Sequence, residues 1–278
     1  MIKTEENVGR YHISALSMMA FLGITFVVTW GILGVYIFFP EAAVETLGAL
    51  SGQHPLFYLA VWAPALAAVV IIFAKQGMVG LRRFFKRFLE WRCSAGWYLF
   101  LILVLPLVFY LGAAIKGTLF SNPWPFPSLG SLLVALLLSA IKGPIEEFGW
   151  RGFALPLMQR IVAPFWAGLF LGIVWGLWHL PAFAVSGTQQ SAWSFMPFFL
   201  GTIAISLLMT ALYNASNGSL LLAALMHFQL MNPVWPDAQP YDTYLLVGIT
   251  VAVVLLKHRS MFSKKGAGTV VISTQGGA

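Results

Sequence analysis

Charge is what this 278-residue sequence has least of: 9% of its residues are Asp, Glu, Lys or Arg, against about 25% in ordinary soluble domains. With 16 basic and 9 acidic side chains, a globule of this size cannot cover itself with solvated groups, whereas a surface facing lipid needs none. A water-soluble fold is excluded. Cysteine is scarce as well: Cys93 stands alone, which excludes an internal disulfide and a cysteine-built metal site. Internal repeats, low-complexity tracts and soluble domains are also missing. What is abundant is apolar side chains, 59% of the chain. The net charge of +7 has to be read against position, because membrane topology sorts Lys and Arg.

A helix needs about 20 apolar residues to cross the hydrocarbon core. Eight segments qualify as expected spans, roughly 13–39, 56–74, 97–115, 131–158, 164–183, 195–213, 219–232 and 244–256, the last two being short. The first is too long for a signal-peptide core and lacks a small-residue cleavage pattern, so it reads as a retained helix. The fold class expected is an all-α, polytopic integral membrane protein.

Basic residues should alternate between rich and poor connections. Lys3 and Arg10 fall at the amino terminus, and Lys75, Arg82, Arg83, Lys86, Arg87 and Arg92 in the second connection. Arg160 falls in the fourth, and Lys257, Arg259, Lys264 and Lys265 in the tail. The other connections hold almost none apart from Lys116, while Glu41, Glu45, Asp237 and Asp242 fall there. Both termini are therefore expected to be cytoplasmic. In 80–92, Leu81, Phe84, Phe85 and Phe88 recur at helical spacing with Arg82, Arg83, Lys86 and Arg87 around them, which predicts an amphipathic interfacial helix against anionic lipid. No aromatic-interleaved recognition module is present, so nucleic acid is not an expected partner. The Gly- and Ser-containing tail after Arg259 is expected to be disordered.

Seven of the nine acidic residues lie in termini, connections or the interfacial helix. Glu146 and Glu147 do not: they sit in the fourth apolar segment, IKGPIEEFGWRGFALP, with Arg151 following. His12, His54 and His258 lie at ends or connections, whereas His179 and His227 fall within the fifth and seventh segments. An ionisable residue at membrane depth costs at least about 2.5–3.5 kcal/mol, so each marks a functional site by default. Glu147 and Arg151, four apart, can pair on one helix face. Glu146 points about 100° away and has no partner on its own helix. It is the carboxylate free to act as general base or acid, with His179 and His227 placed to orient its water or to hydrogen-bond a developing oxyanion. This inventory suits hydrolysis of an amide or ester. It includes no good nucleophile: Cys93 is in the wrong region and no Ser lies in a G-x-S-x-G elbow.

Two His and a carboxylate are also a catalytic zinc set, but no H-E-x-x-H helix gives that reading specific support. Residue chemistry alone leaves metal-bound and metal-free water activation open. It also leaves a non-catalytic alternative, in which the cluster holds helices together in a transporter or scaffold. Trp150, Trp175 and Trp178 read as packing, and Asn214, Asn217 and Asn232 as capping or turn residues.

Glu146 to Gly152, EEFGWRG, matches the EExxxR signature of the type II CAAX endopeptidases and their bacterial relatives. These form the CPBP (CAAX protease and bacteriocin-processing, or Abi) family of intramembrane proteases. Trp175 to Pro181, WGLWHLP, resembles its second motif, an aromatic followed four residues on by His, and His227 resembles the start of its third. The resemblance covers about 131–232. It divides the chain into amino-terminal helices with the interfacial helix (1–130), core protease helices (131–232), and a last helix with its tail (233–278). It implies that Glu146 activates the hydrolytic water, His179 holds or polarises it, Glu147 pairs with Arg151, and His227 supports the oxyanion. The family has been described both as metalloproteases and as glutamate-dependent proteases. The resemblance favours metal-free chemistry, with Glu146, His179 and His227 the ligands if zinc is used. The substrates implied are membrane-associated peptides or proteins, prenylated CAAX proteins in eukaryotes and bacteriocin-related ones in bacteria, where members are also linked to self-immunity.

Two positions depart from the pattern. Trp175 stands where Phe is usual. Met231 occupies the fourth position after His227 where Asn is usual, and Asn232 comes one later, about 100° round a regular helix. An irregular helix end before Pro233 is expected if that amide serves the site. Straight helices would also leave Glu146 and His179 each about 22 Å from opposite sides. Gly143 and Pro144 therefore predict a break that brings them level.

Overall fold

The computed structural model describes residues 13–121 and 124–272; Lys3, Arg10 and His12 lie outside them. Among the described residues the chain is helical and has no strand. Six helical stretches are long and apolar enough to cross a membrane: Ser17–Phe38, Pro55–Leu89, Ala95–Lys116, Leu129–Gln159, Pro164–Ala184 and Phe195–Ala215. Leu220–Leu230 and Tyr241–Leu256 are apolar but shorter. All eight expected segments are therefore helical, in a polytopic membrane architecture.

We number the helices α1 (Ser17–Phe38), α2 (Pro40–Leu47), α3 (Pro55–Lys86), α4 (Ala95–Lys116), α5 (Leu129–Ala140), α6 (Gly143–Gly149), α7 (Leu155–Gln159), α8 (Pro164–Trp178), α9 (Phe195–Ala215), α10 (Leu220–Leu230), α11 (Tyr241–Leu256) and α12 (His258–Met261). A π-helical turn, Trp150–Ala154, joins α6 to α7. Helices α1 and α3 pair, α8 and α9 pair, and α6 is clasped between α3 and α10. Outward-facing side chains such as Leu16, Val27, Phe38, Leu103 and Leu137 are exposed and apolar, as a lipid-facing surface requires.

Small residues set these approaches. Gly168, Gly172 and Gly176 recur every four residues along α8, and a Cβ on each would lie 2.6–2.8 Å from atoms of Thr210, Ile203 and Phe199 on α9. Backbones meet this closely in membranes because dispersion and interhelical hydrogen bonds, not hydrophobicity, drive association. Ser206 Oγ adds such a bond, donating to the Gly168 carbonyl at 2.8 Å. Gly149 does the same for α6, where a Cβ would sit 2.5 Å from the Pro64 carbonyl of α3. Pro64 has no N–H for the carbonyl of Ala60. Thr29 Oγ1 of α1 donates to that carbonyl at 2.7 Å and accepts from Trp178 Nε1 at 2.9 Å. The proline's missing donor thus becomes a hydrogen-bonded tie between α1, α3 and the end of α8.

The expected break in the fourth segment is present. Helix α5 stops at Ala140, Lys142 is non-helical at φ −92°, ψ −96°, and α6 restarts at Gly143 with Pro144 in its first turn. The Ile141 carbonyl freed there accepts from Trp62 Nε1 at 2.7 Å. Before the break, α5 has no buried residue; after it, α6 is mostly buried.

Two expectations are corrected. The interfacial segment 80–92 begins after a sharp bend in α3 at Gly77, φ 61°, ψ −162°, a conformation reserved for glycine. Arg87, however, does not face lipid headgroups: it is 5% exposed. Its guanidinium donates to the carbonyls of Gly152 (2.8 Å), Gly218 (2.9 Å) and Val271 (3.0 Å) and to the Tyr213 hydroxyl. The tail, in turn, is not disordered through 272. Val271 and Ile272 enter the main core, and the carbonyls of Gly268 and Thr269 accept from Gln159 and Arg160. Asn214, expected in turn duty, accepts the Gly268 N–H at 2.9 Å, while Asn217 does hold a left-handed turn at φ 53°. Composition under-reads this tail because much of its polar contact is carried by backbone groups, with the Lys264 ammonium adding bonds to the carbonyls of Arg160 and Ile161.

Arg87→Met should therefore strand three buried carbonyls and a phenol, at about 1–3 kcal/mol for each group left unsatisfied. The expected result is an apparent Tm in detergent lower by at least about 8 °C. An unchanged thermal transition would contradict the clasp.

Candidate active site

Glu146 and Glu147 lie in the single short helix α6, and both are buried. Glu147 pairs with Arg151 as the spacing predicts, Oε2 to Nη1 being 3.2 Å, with both side chains fully enclosed. It has a second partner that the spacing does not reveal: its Oε1 lies 2.6 Å from His227 Nδ1 of α10. One carboxylate thus fixes an arginine on its own chain segment and an imidazole on another helix. Arg151 also stacks on the Trp175 ring, its guanidinium carbon 4.7 Å from the centroid, a contact favourable between a desolvated cation and an indole face.

Glu146 is held from α8. Trp175 Nε1 donates to Glu146 Oε2 at 3.0 Å, leaving Oε1 without a donor among the described residues. This corrects the reading of Trp175 as packing alone: its ring edges also contact His179 and His227, at centroid distances of 5.6 and 5.5 Å. A Phe, the residue usual here in the resembling family, could supply the ring but not the N–H. Trp178 is partly a hydrogen-bond relay through Thr29, while Trp150 is fully buried and packs on Phe21 and Trp178. The break before α6 brings the Glu146 level with α8, which resolves the depth mismatch of straight helices.

His179 caps the carboxyl end of α8, partly buried and packed against Trp178 and Phe198. Its Nδ1 donates to the Trp175 carbonyl at 2.8 Å. A neutral ring with that bond has Nε2 bare, as an acceptor for a water hydrogen. His227 sits against Gly143, where a Cβ would come within 2.7 Å of its Cδ2 and closer still to Nε2 and to the Met231 sulfur. Gly143 is thus needed for the space His227 occupies.

The helix end at the third motif is irregular, as expected before Pro233. Helix α10 ends at Leu230, and Met231 has φ −112°, ψ 11°. Asn232 is therefore not carried on the helix. Its Nδ2 donates to Gln229 Oε1 at 3.1 Å and its Oδ1 accepts the Val234 N–H at 3.1 Å, which is turn duty. It still lines, with Glu146, Trp175, His179 and His227, one cavity of about 410 Å³. Arg151 and Glu147 stand behind that wall. Cys93 does not line it, and burial pushes its thiol up from the ordinary value, so little thiolate forms.

Sequence reading passed over one charged residue. Lys142 lies in the fourth segment, two residues before Pro144, and lines the same cavity; assigning basic residues to connections skipped it because it falls in none. A metal fits this arrangement poorly: among the described residues no three His, Cys, Asp or Glu side chains are grouped to hold an ion. Glu146, His179 and His227, the ligands if zinc were used, line one cavity without forming such a group.

Comparison with known proteins agrees with the motifs. Residues 128–232 match the family described as type II CAAX prenyl endopeptidase Rce1-like. Over 269 residues the chain is 25% identical to a CAAX prenyl protease 2 of Methanococcus maripaludis, covering 87% of this chain and 94% of that protein. The likeness thus extends beyond the core helices to nearly the whole length of that relative.

Proposed function

We propose, from a core segment that is Rce1-like, that this membrane protein is an endopeptidase cleaving near the carboxyl end of a membrane-associated peptide by glutamate-activated water. The observation that carries this reading is the convergence of Glu146, His179 and His227 on one largely apolar cavity, with Glu146 oriented from outside its own helix by Trp175. Glu146 Oε1 takes the proton of a water whose second hydrogen is held by His179 Nε2. The water oxygen bonds to the scissile carbonyl carbon, and the carbonyl becomes an oxyanion. His227 supports that oxyanion. Its Nδ1 is engaged by Glu147, so donation from Nε2 uses a ring protonated on both nitrogens, and Glu147 is the anion beside it. Collapse of the oxyanion breaks the C–N bond, and Glu146 returns its proton to the leaving amine. Arg151 holds Glu147 and, through Trp175, the frame on which Glu146 rests. Asn232 lines the cavity.

No step is assigned to a metal, because the donors do not gather as a metal set. The substrate class we favour is a lipidated, CAAX-like or bacteriocin-like peptide, since an apolar cavity opening within a bundle suits a chain already at the bilayer. The location we propose is a bacterial inner membrane with both termini cytoplasmic, following the basic connections.

Purified protein should cleave peptides from a panel ending in farnesylated or unmodified CAAX-type sequences and bacteriocin-like leaders, read by product mass. Treatment with 1,10-phenanthroline should leave the rate unchanged. No cleavage across the panel would overturn the endopeptidase reading, and loss of activity restored by zinc would overturn its metal-free form.

A further inference from the structure

We propose that Lys142 receives the carboxylate at the end of the substrate peptide and so sets where the chain is cut; this rests on the endopeptidase reading above. Lys142 sits at the break between α5 and α6 and lines the same cavity as Glu146. Among the described residues lining that cavity it is the one Lys or Arg. Its ammonium lies 5.8 Å from the Phe57 centroid and 5.5 Å from that of Tyr58, and no carboxylate of the described residues pairs with it. The acids of the same cavity are each engaged otherwise. Glu146 accepts from Trp175, Asp237 pairs with Lys116 at 2.7 Å, and Asp242 Oδ1 accepts the Thr243 N–H.

A lysine within an apolar segment is costly unless an anion offsets it, and ring faces offset only part of that cost. Here the protein supplies the rings and withholds the anion. The register fits a peptide terminus. Lys142 precedes Glu146 by four residues, about 6 Å of helical rise, and its four-carbon stem extends the reach. An extended peptide of three residues spans about 10 Å. A scissile carbonyl at Glu146 therefore leaves a terminus a few residues onward within the range of the Lys142 ammonium. A point charge on a flexible stem accepts a carboxylate without demanding the bidentate geometry of arginine, which suits termini carrying different last residues.

The test compares one cleavable peptide with a free terminal carboxylate against its carboxamide, in the full-length protein. Wild type should favour the acid by about 10- to 100-fold in kcat/KM, the worth of a charge-assisted hydrogen bond, mainly through KM. Lys142→Gln should abolish that preference, lowering kcat/KM for the acid to that for the carboxamide, with its thermal transition in detergent showing that the variant is folded. Lys142→Arg should keep the preference. Equal cleavage of acid and amide by wild type would overturn the role of Lys142 and leave the endopeptidase reading intact. Cleavage of neither peptide would remove that reading itself, and this inference with it.

Discussion

Glu146→Gln should lower peptidase kcat/KM by about 10²- to 10⁴-fold, the range a positioned general base supplies, while leaving the protein folded. Glutamine keeps an oxygen for the Trp175 N–H and nearly the same volume, so the 3.0 Å bond that fixes the side chain can persist. What it loses is the ability to accept a proton from water and return it to the leaving amine. Thermal stability should therefore change by no more than about 1 kcal/mol. His179→Ala should also cut the rate, by removing the second contact to the water. Cleavage at full rate by both variants would leave hydrolysis without a base in this cavity, and the non-catalytic membrane scaffold would become the better description.

Arg151→Ala should instead act on the fold. Glu147 and Arg151 are both fully enclosed, and removing one partner of a buried pair costs about 3–5 kcal/mol, because the other charge stays desolvated. Trp175 would lose the cation on its face, and His227 would be left as the single partner of Glu147. The expected reading is a large fall in folded yield and in apparent Tm in detergent, larger than for Glu146→Gln. A charge-free double variant, Glu147→Gln with Arg151→Met, should recover much of the stability, since apolar packing can replace a buried pair. It should not recover activity, because His227 would lack the carboxylate that fixes its ring. Equal stability of Arg151→Ala and wild type would mean that the pair is solvated and that Glu147 does not organise the site.

Much of this was legible in the chain. Helical segments can be read from apolar runs because lipid forces every backbone group into internal hydrogen bonds. The Glu147–Arg151 pair follows from four-residue spacing, and the break at Gly143 and Pro144 from the missing donor of proline. Contacts between helices were less legible. Nothing local to Trp175 says that its N–H meets Glu146 on another helix, nor does the spacing of His227 announce Glu147 as its partner. Arg87 misled for the same reason: it stands among cations in sequence, and the partners that enclose it, Gly152, Tyr213, Gly218 and Val271, lie far along the chain. Lys142 was hidden by a different effect, since sorting basic residues by connection discards one that sits inside a span.

The Arg87 clasp also dictates an order of assembly. Its contact with the Val271 carbonyl spans 184 positions, so that partner does not exist while most of the chain is being made. At about 5–20 residues per second, roughly 10–40 s of synthesis separate the arginine from the strand of backbone that completes its coordination. The helices carrying the catalytic groups are all made within that interval. The residues around 271 then act as a closing latch: their arrival retires the last unsatisfied donors of an arginine made long before.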